Sequence, residues 1–446
     1  MNKKLFGTDG IRSRAGDFPL NAAAIVAIGQ AIGERLGGDL LVGQDTRVSS
    51  PWIFRLLKEG IERTPATMHD AGVIPTPGVA LLVKTIGYSG GIMISASHNP
   101  FEDNGVKVFS ADGTKLSDAA EAEIEQRVFS LLDAGVDDQR DEVPQSPVTG
   151  TNTTGFPERY SKLLESHLRA GQWLRGLRIV LDCANGAMSV VAPVLLERLG
   201  ATLNVIHSTP SGKNINAGCG AVHMESLTDA MKDRTADFGV AFDGDGDRAL
   251  FISGSGRRID GDAVLLLMAR RMRPSAVVGT SMTNYALEQM LKKERILLTR
   301  VDVGDRFIFE EMRRGNNAGS MLGGEPSGHI IFPDFGLSGD GLLTALKVAE
   351  AIVDAKASLD ELCHDWVPSP HLLKGVRVEK KVPLEQLPAV QSKIALIDRA
   401  LTGRGRIVVR YSGTEPLLRV MIESDDAARN EQFMDELIAT IRASLS

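Results

Sequence analysis

Apolar runs of strand length alternate along this chain with amphipathic segments of helical length, and several of the runs end in polar, glycine-punctuated stretches. DLLVGQD at 39–45 reads as a strand and SSPWIFRLLKEGIERT at 49–64 as a helix, while VALLVKTIG at 79–87 precedes the strand-like GGIMISAS at 90–97. Strands alternating with helical patterns predict a sheet covered by helices. The charged AEAEIEQRVFSLLDAG at 120–135 is its closing helix. DDQRDEVPQSPVTGTNTTG at 137–155 has no sustained period and is rich in Pro, Ser, Thr and Gly, the composition of a domain connection.

A second unit follows: RIVLDC (178–183) as strand, SVVAPVLLERLG (189–200) as helix and ATLNVIH (201–207) as strand form a βαβ crossover, right-handed by default. Residues 225–234 read as helix, and ADFGVAFD (236–243) as a buried strand that runs into a loop. A third unit starts near Arg258, with helix 261–272, strand 276–280, helix 284–294 and strand 296–301. After VPSPHLLKG (367–375) the order is strand (376–382), helix (384–401), two strands (406–412, 418–424) and helix (430–445), a small α+β domain. The expected fold is therefore α/β: three similar mixed α/β domains followed by a smaller α+β C-terminal domain. The expected bounds are 1–140, 155–257, 258–366 and 370–446.

At 446 residues with 43% apolar content the chain is long enough for several cores. A formal charge of -7 argues against nucleic acid as the partner, while leaving room for a local basic pocket. MNKKLFGTDGIR has no apolar stretch after its lysines, and no window approaches the roughly 18 apolar residues of a membrane span. The expectation is a soluble cytoplasmic protein with no membrane partner. Cys183, Cys219 and Cys363 have neither even number nor ligand-like spacing, so no disulfide framework or zinc site is indicated. No G-x-G-x-x-G sits at a first βα turn, and SGK at 211–213 lacks the upstream glycine of a phosphate loop.

The candidate chemistry lies in loops. In GGIMISASHNP (90–100) a buried run opens into Ser95, Ser97, His98 and Asn99, and Pro100 stops the strand. In FDGDGDR (242–248) Asp243, Asp245 and Asp247 are separated by single glycines, and carboxylates so close repel unless donors or a cation neutralise them. Hard oxygen ligands favour Mg²⁺, and three of them leave positions open for water and a substrate oxygen. A calcium loop fits poorly, because position six from Asp243 is Arg248 and position twelve is Gly254. Arg248 either offsets the acids or holds a phosphoryl oxygen beside the metal.

RYSGTEPLLR (410–419) joins Ser412, Gly413 and Thr414 to Arg410 and Arg419, a nest for an anion with several oxygens. GGEPSGHI (323–330) offers Glu325 and Ser327 to sugar hydroxyls and His329 to a phosphate or a leaving oxygen. A serine that carries a phosphoryl group beside Mg²⁺ is a reservoir for transfer. Strand alternation puts Ser95 and Ser97 on one face and does not choose between them.

Together, GTDGIR, SASHNP, FDGDGDR, GEPSGH and RYSGTEP resemble the α-D-phosphohexomutase superfamily, and NINAGCGAVH with the overall length is similar to its branch acting on glucosamine phosphates. The likeness runs from Gly7 to about Glu423. It implies a catalytic phosphoserine at Ser97, activated by phosphorylation there, and Mg²⁺ held by that phosphate with Asp243, Asp245 and Asp247. It implies Arg12 and Lys107 around the reacting phosphate, with Lys107 a candidate for proton transfer. His98, next to the serine, either positions the phosphate or caps the local backbone. Glu325 and Ser327 match the sugar-reading loop; Arg410, Ser412, Gly413, Thr414 and Arg419 match the loop for the substrate's other phosphate. The four domains would then carry, in order, phosphoserine, metal, sugar recognition and phosphate clamp around one cleft, with hexosamine or hexose phosphates as partners and a homodimer left open. Asp302, Pro326 and Tyr411 depart from the glucosamine branch. The rival readings are the same chemistry on glucose or mannose phosphates, a magnesium phosphatase with Asp243 as nucleophile, and a noncatalytic sugar-phosphate sensor.

Overall fold

GGIMI at 90–94 is buried at all five positions because it lies inside a sheet, between Asp39–Gln44 on one side and Asp103–Ser110 on the other. In a computed structural model of the protein, which describes residues 5–7, 9–135, 143–144, 155–233, 235–314, 321–336, 338–412 and 416–445, the chain forms four sheets. The first has six strands, with Asp39–Gln44 parallel to both Thr67–Val73 and Gly90–Ile94. Asp103–Ser110 returns antiparallel beside Gly90–Ile94 and Gly10–Arg14. Strands covered on both faces read as continuous apolar runs, which is why the pattern in this part of the sequence shows little alternation.

The second sheet orders Arg258–Ile259, Ala249–Ser253, Phe238–Phe242, Arg178–Asp182 and Thr202–Ile206, with Arg178–Asp182 parallel to both neighbours. The third sets Ala276–Thr280 parallel to Leu297–Val301 and Met321–Gly324. The fourth is antiparallel throughout, with Leu417–Ser424 between His371–Arg377 and Gly405–Tyr411. This is the expected class, three mixed α/β units and a smaller α+β unit. Its first strand is displaced from the expected 376–382 to His371–Arg377, because pairing with Leu417–Ser424 recruits HLLKG, which lacks alternation of its own. The helix expected over 225–234 is confined to Glu225–Ala230. Most of the expected connection at 137–155 lies outside the described residues.

Helix starts follow their side-chain caps. Asn21, Ser117, Asp260 and Asp340 each accept a backbone N–H from the first turn of Ala22–Leu36, Asp118–Asp133, Gly261–Met272 and Gly341–Ala355 respectively. One large apolar cluster links the first three units, from Leu41 and Val79 through Leu181 and Phe242 to Val264 and Leu346. The fourth unit has a separate core around Val390, Val420 and Leu437. It meets the third unit through polar groups: Arg406 donates to Ser281 O and Thr283 O, both at 2.7 Å, and Glu423 accepts from Tyr285 N–H at 2.9 Å. Loops at the strand ends of the first three units are thus built on one shared core, and the last hairpin on another.

Candidate active site

Ser97 follows the buried strand Gly90–Ile94 and takes a left-handed backbone, φ 53°. That conformation is uncommon for a residue with a Cβ. The surroundings impose it through hydrogen bonds. Ser97 N–H donates to Ser95 Oγ at 2.9 Å, and Ser95 Oγ donates to Asp45 Oδ2 at 2.6 Å. Asp45 also accepts from Arg47 Nε at 2.8 Å, an ion pair with both side chains fully buried. Ser95 is therefore engaged below the loop, whereas Ser97 Oγ reaches out of its own sheet to Asp243 Oδ2 at 2.6 Å. Geometry separates the two serines that periodicity left equivalent.

The acidic loop follows the buried strand Phe238–Phe242. Asp243 and Asp245 are fully buried and Asp247 is 5% exposed, and one carboxylate oxygen from each lies within 4.8 Å of the others. Gly246 takes φ +71°, and a Cβ on Gly244 would stand 2.5 Å from Ser97 O, so both glycines are needed to curl the chain this tightly against the serine loop. Burial, reinforced by the charges of Asp247 and Asp245, pushes the Asp243 carboxyl well above its usual range. Against the penalty of burial, Lys107, His329 and Arg248 hold Asp247 well below it. Asp245 Oδ1 and Asp247 Oδ1 are buried without hydrogen-bond partners. Orphaned acceptors on hard oxygen ligands fit a divalent cation such as Mg²⁺, so this triad can hold a metal ion.

Lys107 lies on the strand Asp103–Ser110 and is 1% exposed. Its ammonium stands 2.9 Å from Asp245 Oδ2, 3.0 Å from Asp9 Oδ2 and 3.6 Å from Asp247 Oδ2. Burial alone would favour the neutral amine, but Asp245, Asp9 and Asp247 outweigh it and hold the group protonated. Arg12, on Gly10–Arg14, pairs with the same Asp9, and Lys115 bridges Asp9 to Asp305 of the third unit. His98 has Nδ1 3.4 Å from Ser97 Oγ; burial, then Arg248 and Arg12, lowers its pKa to about 4 and leaves the ring neutral near pH 7.

Arg248 continues the acidic loop, with its backbone N–H on Asp243 Oδ1 at 3.2 Å and its guanidinium 3.7 Å from Asp247 and 4.0 Å from Glu325. Glu325 accepts from Ser327 Oγ at 2.7 Å, which brings the expected sugar-reading pair together beside Arg248. His329 is placed differently from its neighbours in sequence. It is 2% exposed, accepts Gly339 N–H on Nε2 at 3.1 Å and turns Nδ1 toward Asp247 at 3.7 Å, so it buttresses the acidic loop from behind.

Arg410 and Arg419 stand directly opposite each other on Gly405–Tyr411 and Leu417–Ser424. Like charges paired across strands repel, and an anion between them removes that repulsion. Ser412 closes the hairpin by donating its N–H to Leu417 O at 2.8 Å, and its carbonyl accepts from Lys381 Nζ at 2.6 Å. Gly413 and Thr414 lie outside the described residues. Of the residues that depart from the glucosamine branch, Tyr411 donates to Val382 O at 2.6 Å and Asp302 is exposed. Arg300, two residues before Asp302, is engaged with Glu288 at 3.0 Å and Thr283 O at 2.5 Å.

Sequence reasoning missed Asp9, Asp45, Arg47, Thr76, Lys115 and Asn216. Thr76 donates its hydroxyl to Asp245 Oδ2 at 2.5 Å and its N–H to Asp245 O at 2.9 Å. Asp45 and Arg47 carried one signal, a charged i,i+2 pair directly after the largely buried strand Asp39–Gln44.

Four serial matches account for nearly the whole chain. Domains I, II, III and the C-terminal domain of phosphoglucomutase/phosphomannomutase match residues 3–134, 158–256, 260–369 and 373–440. The chain belongs to this family. Within the family it is 43% identical to the phosphoglucosamine mutase of Koribacter versatilis, over 99% of this chain and 97% of that one. It is also 43% identical to that of Solibacter usitatus over the full length of both. Among solved structures, a phosphoglucomutase/phosphomannomutase family protein from Burkholderia thailandensis superposes with a TM-score of 0.78 at 22% identity, covering 98% of this chain and 97% of that one. The N-acetylphosphoglucosamine mutase of Aspergillus fumigatus, in complex with GlcNAc-6P and magnesium, superposes at 0.63 and 17% identity, covering 99% and 96%. This phosphohexomutase is accordingly an isomerase that moves phosphate intramolecularly. No helix among its described residues is long and apolar enough to cross a membrane.

Proposed function

We propose that the protein interconverts glucosamine 6-phosphate and glucosamine 1-phosphate through a phosphorylated Ser97 and a 1,6-bisphosphate. The observation that carries this reading is the 2.6 Å approach of Ser97 Oγ to Asp243, within a triad of buried aspartates. The name shared by the full-length relatives supports the sugar.

In the forward direction the bond from phosphorus to Ser97 Oγ breaks as a bond to O1 of glucosamine 6-phosphate forms, and the O1 proton passes to a base. The bisphosphate then turns over. Its O6–phosphorus bond breaks, the phosphoryl group returns to Ser97 Oγ, O6 regains a proton and glucosamine 1-phosphate leaves. Atoms balance with no co-reactant. Asp243, Asp245 and Asp247, with the phosphate on Ser97, would hold Mg²⁺, which when bound supplies positive charge to the transferring oxygens.

Arg12, Lys107 and Arg248 surround the reacting phosphate with donors. Lys107 is ammonium beside Asp245, which suits it to returning a proton to an oxygen, and neutral His98 beside Ser97 Oγ is able to accept one. Glu325 and Ser327 read the sugar hydroxyls. Arg410, Ser412, Gly413, Thr414 and Arg419 hold the phosphate that is not reacting. Residues 1–140, 155–257, 258–366 and 370–446 then divide phosphoserine, metal, sugar and clamp among four domains. Turnover of glucosamine, glucose and mannose 6-phosphates by protein whose Ser97 phosphorylation is verified by intact mass tests the proposal. Fastest isomerisation of the glucosamine compound is expected; release of inorganic phosphate with no isomerised sugar would sink it.

A further inference from the structure

Two carbonyl oxygens of the serine loop each receive two side-chain donors, and the donors come from opposite sides of a domain junction. Arg47 Nη2 donates to Ser97 O and Asn99 O, both at 2.9 Å. Asn216 Nδ2, from the second unit, donates to the same two oxygens at 2.9 and 3.0 Å. Arg47 completes its set on Pro100 O, on Asp103 O at 2.9 Å and on the Asp45 carboxylate. The amide of Asn216 has one sensible orientation, because the reverse would aim its oxygen at two carbonyls.

Asn216 holds this position at a cost. It takes φ 58°, and its Oδ1 is buried with no hydrogen-bond partner. An unsatisfied buried acceptor costs about 1–3 kcal/mol, and the favourable contacts of this side chain are the two that Nδ2 makes. Its Nδ2 would lie 2.8 Å from a Cβ on Gly244, and Ser97 O would lie 2.5 Å from the same point. The side chain is thus wedged where the serine loop meets the acidic loop.

We propose that Asn216, acting with Arg47, is a positioning residue for phosphoryl transfer, holding the carbonyls of Ser97 and Asn99 from the second domain so that the phosphoryl group on Ser97 stays aligned with the acidic loop. This rests on the reading of Ser97 as the phosphoryl carrier. A phosphoserine is close to a dianion near neutral pH, and carbonyl oxygens of its own loop repel it when they face it. Drawing two of them into four hydrogen bonds removes that repulsion and fixes the loop on both sides.

Asn216→Asp keeps the shape and the tolerance of a left-handed backbone but has no donor; Asn216→Gly keeps only the backbone freedom. Both variants, with phosphorylation of Ser97 confirmed by intact mass, are compared with wild type for kcat and KM on glucosamine 6-phosphate and for melting temperature. The expected result is a fall in kcat on the order of 10²-fold in both, the scale of a misplaced reacting group. KM should stay within about twofold, since the sugar contacts are elsewhere, and cooperative melting should be retained. Wild-type kcat in Asn216→Asp, a loss confined to KM, or collapse of the melting transition in both variants would each overturn the proposal, the last by making Asn216 a structural residue. A wild-type protein that fails to isomerise the sugar, or carries its phosphate elsewhere, would instead defeat the functional reading.

Discussion

Ser97 Oγ and Asp243 Oδ2 are joined by a 2.6 Å hydrogen bond across 146 positions of sequence. The serine follows a strand of the first sheet and the aspartate follows a strand of the second, so the bond exists only because the two units pack on one core. Ser97→Ala should abolish sugar isomerisation while leaving sugar-phosphate binding measurable, because it removes the phosphoryl carrier alone. Ser95→Ala should only weaken turnover. It leaves Ser97 N–H without its acceptor and should lower stability by about 1–3 kcal/mol, read by denaturant melts. Peptide mapping that found the functional phosphate on Ser95 would reverse these roles.

Replacing Asp245 by asparagine removes a charge from the triad and from Lys107 together. Mg²⁺ affinity and kcat should both fall at least about tenfold, a change of roughly 1.4 kcal/mol in each. Isothermal titration with Mg²⁺ on the folded variant checks the first and coupled turnover the second. An unchanged titration would remove Asp245 from the ligand set.

Arg419→Lys keeps a positive charge opposite Arg410 and loses the planar fork. Sugar turnover should fall about tenfold, with kcat and KM both affected, because remote binding energy positions the reacting hydroxyl. Hydrolysis of phospho-Ser97 by water should change less than about twofold, since water has no second phosphate to be held. Equal losses in both assays would move Arg419 to the reacting centre.

Asp340 caps the helix Gly341–Ala355 and accepts Tyr160 OH on both oxygens, at 2.9 and 2.8 Å, with both side chains buried. That burial, against the hydrogen bonds from Leu343 N–H and Tyr160, raises its pKa to about 6 from 3.8. The folded state therefore binds the proton more tightly than the unfolded chain between these values, and the contribution of Asp340 to stability declines as pH rises from about 4 to about 6. Asp340→Asn, which keeps the cap, should gain on wild type over that window and hold a constant advantage above it, with a ceiling on the order of 3 kcal/mol. Denaturant melts at pH 4, 5, 6 and 7 measure the difference. A gap that is flat across the series would refute the assignment.

The strand at 90–94, the strand at 238–242 and the helix at 261–272 were legible because each carries a local cause: an apolar run for the strands, and for the helix an Asp cap, an apolar run too long for a strand and basic residues in its last turn. The same locality made the acidic loop readable, since three carboxylates spaced by glycine demand neutralisation wherever they fold. His371–Arg377 starts five residues before the expected strand, and the partners of Lys107, Asp245 and Asp9, were not legible, because in each case the partner is remote in sequence.

By itself, then, the sequence determined the α/β order of the chain, the small last domain and the loops that carry chemistry, all consequences of interactions within a few residues. The tertiary structure alone decided how Ser97 reaches Asp243 while Ser95 is tied to Asp45, that His329 turns inward to Asp247, and that Arg47 and Asn216 grip the same carbonyls. Those choices depend on which loops meet when separate sheets share a core. A hydrogen bond across such a junction leaves no period or spacing in either segment, because each partner is chosen by the other.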